Sequence, residues 1–223
     1  MNPILRRAAL RGIELIYPKR AVCMGCGAAF GCDVDWLCNE CREQLARSWI
    51  GAVIVPPDGS LDGAAYAYDY RGAAGGLVRN LKYRGAYRLA DDMAAAMMRA
   101  YQAIEPTGVE LVTPVPMHPK RLKRRGYNQS EWLARRVAAH MNLPVECVLA
   151  RVRNTPQQAR LSGERRHRNV EGAFSLIGSV SGKRVLLIDD VWTTGATAQA
   201  CAEVLRAGGA VNVYLLCFAM VKI

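Results

Sequence analysis

Along most of the chain, short apolar runs alternate with longer segments in which apolar residues recur every three or four positions. The apolar runs predict strands over Ala64–Tyr70, Glu110–Val115, Arg184–Ile188 and Val211–Met220. The helical periodicity predicts helices over Gly76–Arg84, Arg88–Ala103, Gln129–Met141 and Thr194–Arg206. Strands that alternate with helices are typical of an α/β domain built on a parallel sheet.

A break rich in proline and glycine separates the N-terminal part of the chain from this α/β pattern. Met1–Tyr17 and Glu40–Ile50 both have helical periodicity, and Pro56-Pro57-Asp58-Gly59 then interrupts the pattern. The predicted domains are therefore a small module over residues 1–50 and an α/β domain over residues 51–223. A chain of 223 residues is long enough for a sizeable core in the larger one.

Four cysteines of the small module form two Cys-x-x-Cys pairs with eleven residues between them. The pairs are Cys23 with Cys26 and Cys38 with Cys41. Thiolates at this spacing can close a tetrahedral site, and four sulfur ligands leave no open position for water, so the sequence predicts a structural Zn²⁺ ion. A redox-active dithiol is the alternative. A fifth thiol, Cys32, lies between the pairs and is expected to stay unliganded.

Two adjacent carboxylates, Asp189 and Asp190, follow the apolar strand Arg184–Ile188. The small, hydroxyl-rich segment Thr193–Thr197 comes two residues later and opens a predicted helix. Small residues let a backbone approach a ligand, and a helix N-terminus offers unpaired N–H groups to an anion. This pattern favours a phosphorylated sugar, with the phosphate on the loop and the hydroxyls, or an associated Mg²⁺ ion, on the acids. The alternative is a buried strand followed by ordinary helix caps.

The formal net charge is +11, and nearly all of it lies in one part of the chain. Residues 118–168 contain thirteen Lys and Arg but three Glu. This concentration indicates a polyanionic partner, and it exceeds what one small ligand can contact. The basic run Lys120–Arg125 follows the strand Glu110–Val115, near the sheet edge where ligands of α/β proteins bind.

Composition excludes several classes of protein. Half of the residues are hydrophobic and the mean hydropathy is near zero, which indicates a globular rather than a disordered chain. Charged residues interrupt the N-terminal apolar segment, and no run of about 18 uncharged apolar residues occurs, so the sequence predicts a cytoplasmic protein without stable membrane insertion. A peripheral membrane helix at the N-terminus is the alternative. The sequence also lacks the Gly-Lys-Ser/Thr and Gly-x-Gly-x-x-Gly motifs of nucleotide-binding loops.

Several motifs occur together from one end of the chain to the other. Besides the four cysteines, they are Leu81-Lys82-Tyr83-Arg84-Gly85, the basic run that ends in Arg125-Gly126-Tyr127-Asn128-Gln129, Asn154-Thr155-Pro156-Gln157-Gln158, and Ile188–Thr197. The last of these looks like the phosphoribosyl pyrophosphate (PRPP) motif of type I phosphoribosyltransferases. The whole set resembles the ComF family of competence-associated, phosphoribosyltransferase-like proteins. The resemblance implies a type I phosphoribosyltransferase-like parallel sheet flanked by helices, with a small N-terminal zinc ribbon.

The resemblance also implies roles for individual residues. Asp189 and Asp190 would be the catalytic acids that contact the ribose hydroxyls of PRPP, together with Mg²⁺. The phosphate-binding loop would consist of Thr193, Thr194, Gly195, Ala196 and Thr197. The pyrophosphate contacts would be Lys120, Arg121 and Arg125, since guanidinium groups suit phosphate oxygens, and a solvated cationic loop is the alternative for these three. Residues 151–169 would form a loop that closes over the reacting centre.

Three functions are compatible with this sequence. The first is a phosphoribosyltransferase that turns over PRPP and releases pyrophosphate, with an acceptor that no motif identifies. The second is a non-catalytic, PRPP-dependent accessory of natural transformation that binds single-stranded DNA through its surplus cations, alongside competence or DNA-uptake proteins. The third is a PRPP-sensing regulator that binds nucleic acid or a protein.

Overall fold

The computed structural model describes residues 21–30, 36–53, 59–83, 88–104, 108–154, 170 and 172–222. The predicted helix in Met1–Tyr17, the role of Cys32 and most of the predicted closing loop lie outside these residues. The division of the chain after residue 50 stays a prediction.

The described strands form one five-stranded sheet and two antiparallel two-stranded sheets. In chain order they are β1 (Ala21–Val22), β2 (Ala29–Phe30), β3 (Trp49–Val53), β4 (Gly63–Asp69), β5 (Leu111–Pro114), β6 (Leu149–Arg151), β7 (Phe174–Leu176), β8 (Arg184–Trp192) and β9 (Asn212–Met220). The two-stranded sheets are β1-β2 and β6-β7. The main sheet has the order β3-β4-β9-β8-β5, in which β3 is antiparallel to β4 and the other pairs are parallel. The carboxyl ends of β4, β9, β8 and β5 therefore meet at one edge.

Helices cover both faces of this sheet. They are α1 (Asn39–Arg47), α2 (Gly72–Tyr83), α3 (Leu89–Tyr101), α4 (Pro119–Arg125), α5 (Gln129–Met141) and α6 (Ala196–Ala207). Because successive strand residues point to opposite faces, Leu186 and Ile188 of β8 pack with α2, α3 and α5, while Val185 and Leu187 pack with α6. Because both faces of β8 are covered, its residues Val185–Ile188 are all apolar, as is usual for parallel strands.

The predicted α/β fold class is confirmed, and so are the main strands and helices. α5 has the predicted bounds, and the other predicted elements of the domain differ from prediction by a few residues at their ends, while β6 and β7 were not predicted. β8 is longer than predicted, because it stays paired with β9 as far as Trp192 opposite Met220. α6 begins at Ala196 rather than Thr194, because Gly195 has a positive φ of 83°.

One predicted helix ends earlier than expected, and one short helix was not predicted. The helix predicted over Glu40–Ile50 ends at Arg47, and Trp49 begins an edge strand opposite Tyr68. The two rings meet edge to face at 5.3 Å, so a contact from elsewhere in the chain overrides the local helical pattern. The basic run after β5, for which no element was predicted, contains the short helix α4.

Candidate functional site

A cavity opens at the carboxyl edge of the sheet, where β8 passes into α6. Asp189, Thr193, Gly195 and Thr197 line it, and Cys217 of β9 lies at its side. These residues meet because β8 ends at this edge and the loop turns at once into a helix on the same face. The structure thus brings one of the two acids together with the threonine loop.

Gly195 allows the loop to turn this tightly. Its φ of 83° lies in the left-handed region, which favours glycine. A Cβ atom at this position would lie 2.4 Å from two ring carbons of Trp192, so the close approach also requires a residue without a side chain.

The amino end of α6 faces this loop without a neutralising side chain. Its N-cap residue is glycine, and its first turn contains no acidic residue. The Oγ1 atom of Thr194 is buried and makes no hydrogen bond within the described part of the chain. Unpaired helix N–H groups, with no acid in the first turn to neutralise them, favour an anionic ligand at this end of the cavity.

Asp189 is held beside the cavity by two hydrogen bonds. Its Oδ1 accepts from the Ser130 hydroxyl at 2.8 Å and from the backbone N–H of Asp190 at 2.9 Å. Burial and the negative charge of Asp190 raise the pKa of Asp189 to about 7, although Lys82 and these hydrogen bonds oppose the shift. The Asp189 carboxyl group therefore changes charge near neutral pH.

Asp190 lies on the other face of the strand, where it is 3% exposed. Its Oδ2 forms an ion pair with the Lys82 ammonium at 2.6 Å, and its Oδ1 accepts from the Gln129 amide at 3.5 Å. Burial by itself would lower the pKa of Lys82, but the charge of Asp190 and the hydrogen bond to it raise that pKa above its usual value. The Lys82 ammonium therefore keeps its charge at neutral pH.

The two acids thus have different surroundings, which their adjacency in the sequence does not reveal. Asp189 lines the cavity, whereas Asp190 anchors Lys82 of α2 and Gln129 of α5. The structure does not bring both carboxylates into one cavity wall, because neighbouring residues of a strand point to opposite faces.

The three cations predicted to contact pyrophosphate all lie on α4, directly after β5. Lys120 is exposed, while Arg121 and Arg125 are partly buried. Arg125 donates to Gln129 Oε1 at 2.7 Å, and its guanidinium carbon lies 5.0 Å from the ring centre of Tyr83. Since β5 and β8 are parallel neighbours, α4 begins at the same edge of the sheet as the cavity.

Two polar residues of this segment cap helices. His118 Nδ1 accepts from the Lys120 N–H at 3.2 Å at the start of α4, and desolvation and the nearby cations Lys120, Arg151 and Arg121 lower the pKa of His118. Asn128 caps α5 by accepting from the Ser130 N–H at 3.2 Å, and it also donates to the Val115 carbonyl. Both side chains therefore support the loop after β5.

Sequence reasoning assigned no individual role to Ser130 or Arg151, which the structure places near Asp189. Ser130 donates to the Asp189 carboxylate. Arg151, at the end of β6, lies over the ring of Phe174 at 5.2 Å; burial and the nearby Arg121 lower its pKa, and Asp189 opposes that shift. Nothing in the local pattern indicates either contact, since both join segments far apart in the sequence.

The four cysteines of the N-terminal pairs form one cluster. Their Sγ atoms all lie within 4.8 Å of one another, and those of Cys26 and Cys38 are 3.9 Å apart. A tetrahedron with metal–sulfur bonds of about 2.3 Å has edges of roughly 3.8 Å, so the donor set fits one metal ion. Burial alone would raise the pKa of Cys23, but backbone N–H groups that donate to its Sγ lower the pKa to about 6.

Within the described ranges, no helix combines the length and the apolar character that crossing a bilayer requires. The cytoplasmic location stays a prediction.

The sequence of this chain is similar to a known protein family and to several known proteins. A family model described as the phosphoribosyl transferase domain matches residues 127–222. The DNA utilization protein YhgH of Shigella flexneri is 32% identical over 204 residues, which cover 88% of each chain. Competence protein F of Haemophilus influenzae is 30% identical over 207 residues, with 84% of this chain and 85% of that protein covered. Competence protein ComFC of Bacillus subtilis is 24% identical over 225 residues, with 85% of this chain and 90% of that protein covered.

Solved structures give more distant likenesses. The glutamine PRPP amidotransferase of Bacillus subtilis, complexed with ADP and GMP, is 25% identical and has a TM-score of 0.38, covering 56% of this chain and 25% of that chain. A purine phosphoribosyltransferase of Pyrococcus horikoshii is 16% identical and has a TM-score of 0.34, with 70% of this chain and 77% of that chain covered.

Proposed function

Because the chain belongs to the ComF family, we propose that it binds PRPP with Mg²⁺ beside Asp189 and transfers the phosphoribosyl group with release of pyrophosphate. The observation that carries this proposal is the single cavity that Asp189 shares with the threonine loop. The cavity has an acid at one end and a helix N-terminus at the other. These groups suit a ligand that carries hydroxyls at one end and a phosphate at the other.

The 5′-phosphate is assigned to the loop Thr193–Thr197 and the first turn of α6. The backbone N–H groups there point out of the helix end, and the positive end of the helix dipole favours an anion. Thr193 and Thr197 line the cavity, and their hydroxyls would donate further hydrogen bonds to the phosphate.

The ribose hydroxyls are assigned to Asp189, and a bound Mg²⁺ ion would supply charge stabilisation there. An ionised carboxylate accepts hydrogen bonds from both hydroxyls of a diol, and Ser130 holds Asp189 in place for this. Asp190 contributes indirectly, because it keeps Lys82 and Gln129 at the edge of the site.

The proposed reaction exchanges one bond at the anomeric carbon of the ribose. The bond to the pyrophosphate oxygen breaks, the leaving group takes the electron pair, and a bond to the acceptor's lone pair forms. Lys120, Arg121 and Arg125 on α4 are assigned to the leaving group, whose negative charge grows during the step. The Asp189 carboxylate would stabilise the positive character that develops on the sugar.

The four-cysteine cluster is assigned a structural Zn²⁺ ion. All four ligand positions are sulfur atoms, which suit Zn²⁺, and a closed site of this kind stabilises a small module that has little core of its own.

Calorimetry with PRPP and Mg²⁺ tests the proposed ligand. We expect Asp189→Asn to weaken PRPP binding by at least about tenfold, because a hydrogen bond to a charged group is worth roughly 1.5–3 kcal/mol. Asp91→Asn, a substitution of an exposed acid on α3, should leave the affinity within about twofold of the wild type, since side-chain changes far from the cavity rarely reach it. Wild-type protein that binds no PRPP, or Asp189→Asn protein with undiminished affinity, would contradict the assignment.

The same titration repeated between pH 6 and pH 8 adds a second test. Since the pKa of Asp189 is about 7, its carboxyl group is mostly protonated at pH 6 and mostly ionised at pH 8. We expect PRPP affinity to fall as the pH is lowered over this range. Pyrophosphate release assayed with a panel of acceptors then decides whether PRPP is turned over.

A second candidate function, binding of single-stranded DNA, is favoured by one feature of the surface. Tyr83 is 64% exposed, and one face of its ring is close to the guanidinium of Arg125. Exposed rings beside cations are the elements with which proteins stack and neutralise single strands. Relatives named for DNA utilization and for competence agree with a role in DNA uptake alongside other competence proteins.

Binding of a labelled oligothymidylate across a salt series tests this second function. Affinity should fall steeply with salt because bound cations release counterions from the strand. Tyr83→Ala should weaken binding by about tenfold or more, since stacking is worth roughly 1–3 kcal/mol per base, whereas Tyr83→Phe keeps the ring and the affinity. The DNA function is excluded if the wild type binds no oligonucleotide at low salt, and Tyr83 has no part in it if Tyr83→Ala binds normally.

A further inference from the structure

Helix α2 lies between the candidate site and the region that holds the four clustered cysteines, Cys23, Cys26, Cys38 and Cys41. We call this region the tetracysteine module. Ala73, Gly76 and Asn80 are three and four residues apart and therefore share one face of the helix. Ala73 packs against Cys23 and Cys41 of the metal-ligand cluster. This face of α2 is thus the surface on which the module rests.

The contact between the module and the helix is made backbone to backbone. A Cβ atom on Gly76 would lie 1.8 Å from the carbonyl oxygen of Gly25, which is part of the first cysteine pair. The Asn80 amide then donates to the Met24 carbonyl at 2.7 Å, across 56 residues of sequence. The same amide donates to the Gly76 carbonyl at 3.1 Å, so both contacts belong to one arrangement.

Lys82 leaves α2 on the opposite side. It follows Ala73 by nine residues, and at about 100° per residue this is half a turn away from the module. Its ammonium group meets Asp190 at 2.6 Å. The last turn of α2 is also held by the Tyr127 hydroxyl, which donates to the Leu81 carbonyl at 2.6 Å. A shift of the helix away from the sheet would therefore pull Lys82 out of its ion pair.

We propose that the metal-loaded tetracysteine module holds α2 in place by packing on the face opposite Lys82. Gly76 and Asn80 are then positioning residues that keep Lys82 against Asp190. If the cavity binds PRPP as proposed above, the module and the cavity are also energetically linked. Linkage is reciprocal, so metal bound at the module strengthens PRPP binding by the same factor by which PRPP strengthens metal binding.

Chemical labelling of Lys82 tests the positioning without any use of PRPP. The zinc-loaded full-length protein is treated with an amine-acetylating reagent, and mass spectrometry gives the acetylation rate of Lys82 relative to the exposed Lys123. Only the unprotonated amine reacts, and the ion pair and burial protect Lys82. Gly76→Ala forces the module and the helix apart, so we expect Lys82 to react about tenfold faster, the factor that one pKa unit represents.

Gly75→Ala is the matched control. It adds the same methyl group to the neighbouring residue of the same helix, with the same gain in helix propensity. Its Cβ would meet only the flexible end of Arg79 at 3.2 Å and Tyr70 at 3.5 Å or more. Lys82 should therefore stay protected in this variant. Asn80→Ala, which loses the bond to Met24 without a clash, and wild-type protein stripped of zinc should both behave like Gly76→Ala.

The outcomes separate this inference from the proposed function. Equal Lys82 protection in wild type, Asn80→Ala and zinc-free protein overturns the positioning role, even if Gly76→Ala does not fold.

Zinc affinity is then measured by competition with a chromogenic chelator, and saturating PRPP should raise it about five- to tenfold in the wild type and in Gly75→Ala but not in Asn80→Ala. No effect of PRPP, although it binds, overturns the linkage. Absence of PRPP binding overturns the proposed function and the linkage together, while Lys82 labelling still decides the positioning.

Discussion

At the scale of single residues, the two neighbouring acids show how strongly the surroundings determine what a carboxylate does. Asp189 is partly buried and has a second carboxylate nearby, so its pKa rises to about 7. Asp190 has the Lys82 ammonium at 2.6 Å and forms a buried ion pair instead. A substitution at both positions would therefore mix two different effects, and each acid has to be tested alone.

The free energy of unfolding should respond in opposite directions to the two substitutions. The folded state holds a proton on Asp189 up to about pH 7, whereas the unfolded chain loses it near its ordinary pKa of 3.8, so stability falls as the pH rises from about 4 to 7 and the full cost is present above pH 7. Asp189→Asn removes this cost and should stabilise the protein at pH 8 by about 1 kcal/mol or more. The gain should shrink as the pH falls through 7 toward 4.

Asp190→Asn should instead destabilise the protein by about 3 kcal/mol, because it leaves the Lys82 ammonium without its partner in a mostly buried position. Urea denaturation of both variants at pH 8 and pH 5 measures these changes. A loss of stability in Asp189→Asn at pH 8 that persists at pH 5 would show that the Ser130 hydrogen bond, rather than the charge, dominates at that position.

At the scale of elements, β8, the threonine loop and α6 form one unit that creates the cavity. The strand remains paired with β9 up to its last residue, so the loop starts from a rigid position. Gly195 then reverses the chain beneath the ring of Trp192, and that ring is itself packed on Tyr66 at 5.6 Å. The tight turn is what lets a helix N-terminus face a carboxylate of the preceding strand.

Replacing Gly195 by alanine should affect both stability and ligand binding. Alanine at a positive φ costs about 1–2 kcal/mol, and the clash with Trp192 should add roughly 1–3 kcal/mol. Gly182→Ala is the control, because Gly182 also has a positive φ of 73° but open space around it, so only the backbone cost applies. Thermal unfolding and PRPP titration of both variants should show the larger loss, and the loss of binding, for Gly195→Ala. Equal effects would mean that Trp192 moves aside.

At the scale of the whole molecule, the region around the four cysteines and the α/β sheet meet at α2. The α/β domain has extensive apolar clusters on both faces of its sheet, whereas the cluster around the cysteines contains three buried residues. The sheet therefore has a large apolar core, whereas the region around the cysteines has a small one, which agrees with the proposed structural metal.

Hydrogen exchange with and without a zinc chelator should separate these two regions. We expect the chelator to speed amide exchange in residues 21–30 and 36–47 by about tenfold or more, since the metal supplies much of the folding free energy of such modules. Exchange in β8 and β9 should stay slow, because these strands lie in the centre of the main sheet. Rapid exchange in both strands after zinc removal would mean that the module also stabilises the central sheet.

The sequence by itself determined the features that depend on neighbours along the chain. Strand and helix periodicity predicted the α/β fold, and the apolar periodicity of Gln129–Met141 predicted this helix with its observed bounds. The spacing of Cys23, Cys26, Cys38 and Cys41 predicted one metal-ligand cluster, since each pair forms a tight local turn. The adjacency of Asp189 to the threonine loop also predicted that they would meet at one sheet edge.

Only the tertiary structure decided which groups meet across the sheet. Lys82 pairs with Asp190 across 108 residues of sequence, and Ser130 binds Asp189 across 59 residues. The helix predicted over Glu40–Ile50 ends at Arg47, and a strand begins at Trp49 because the Trp49 ring packs on Tyr68. Such contacts depend on how whole elements pack, and local propensity is too weak to encode them. For the same reason the sequence showed two adjacent acids, whereas the folded strand directs one toward the cavity and the other toward a buried lysine.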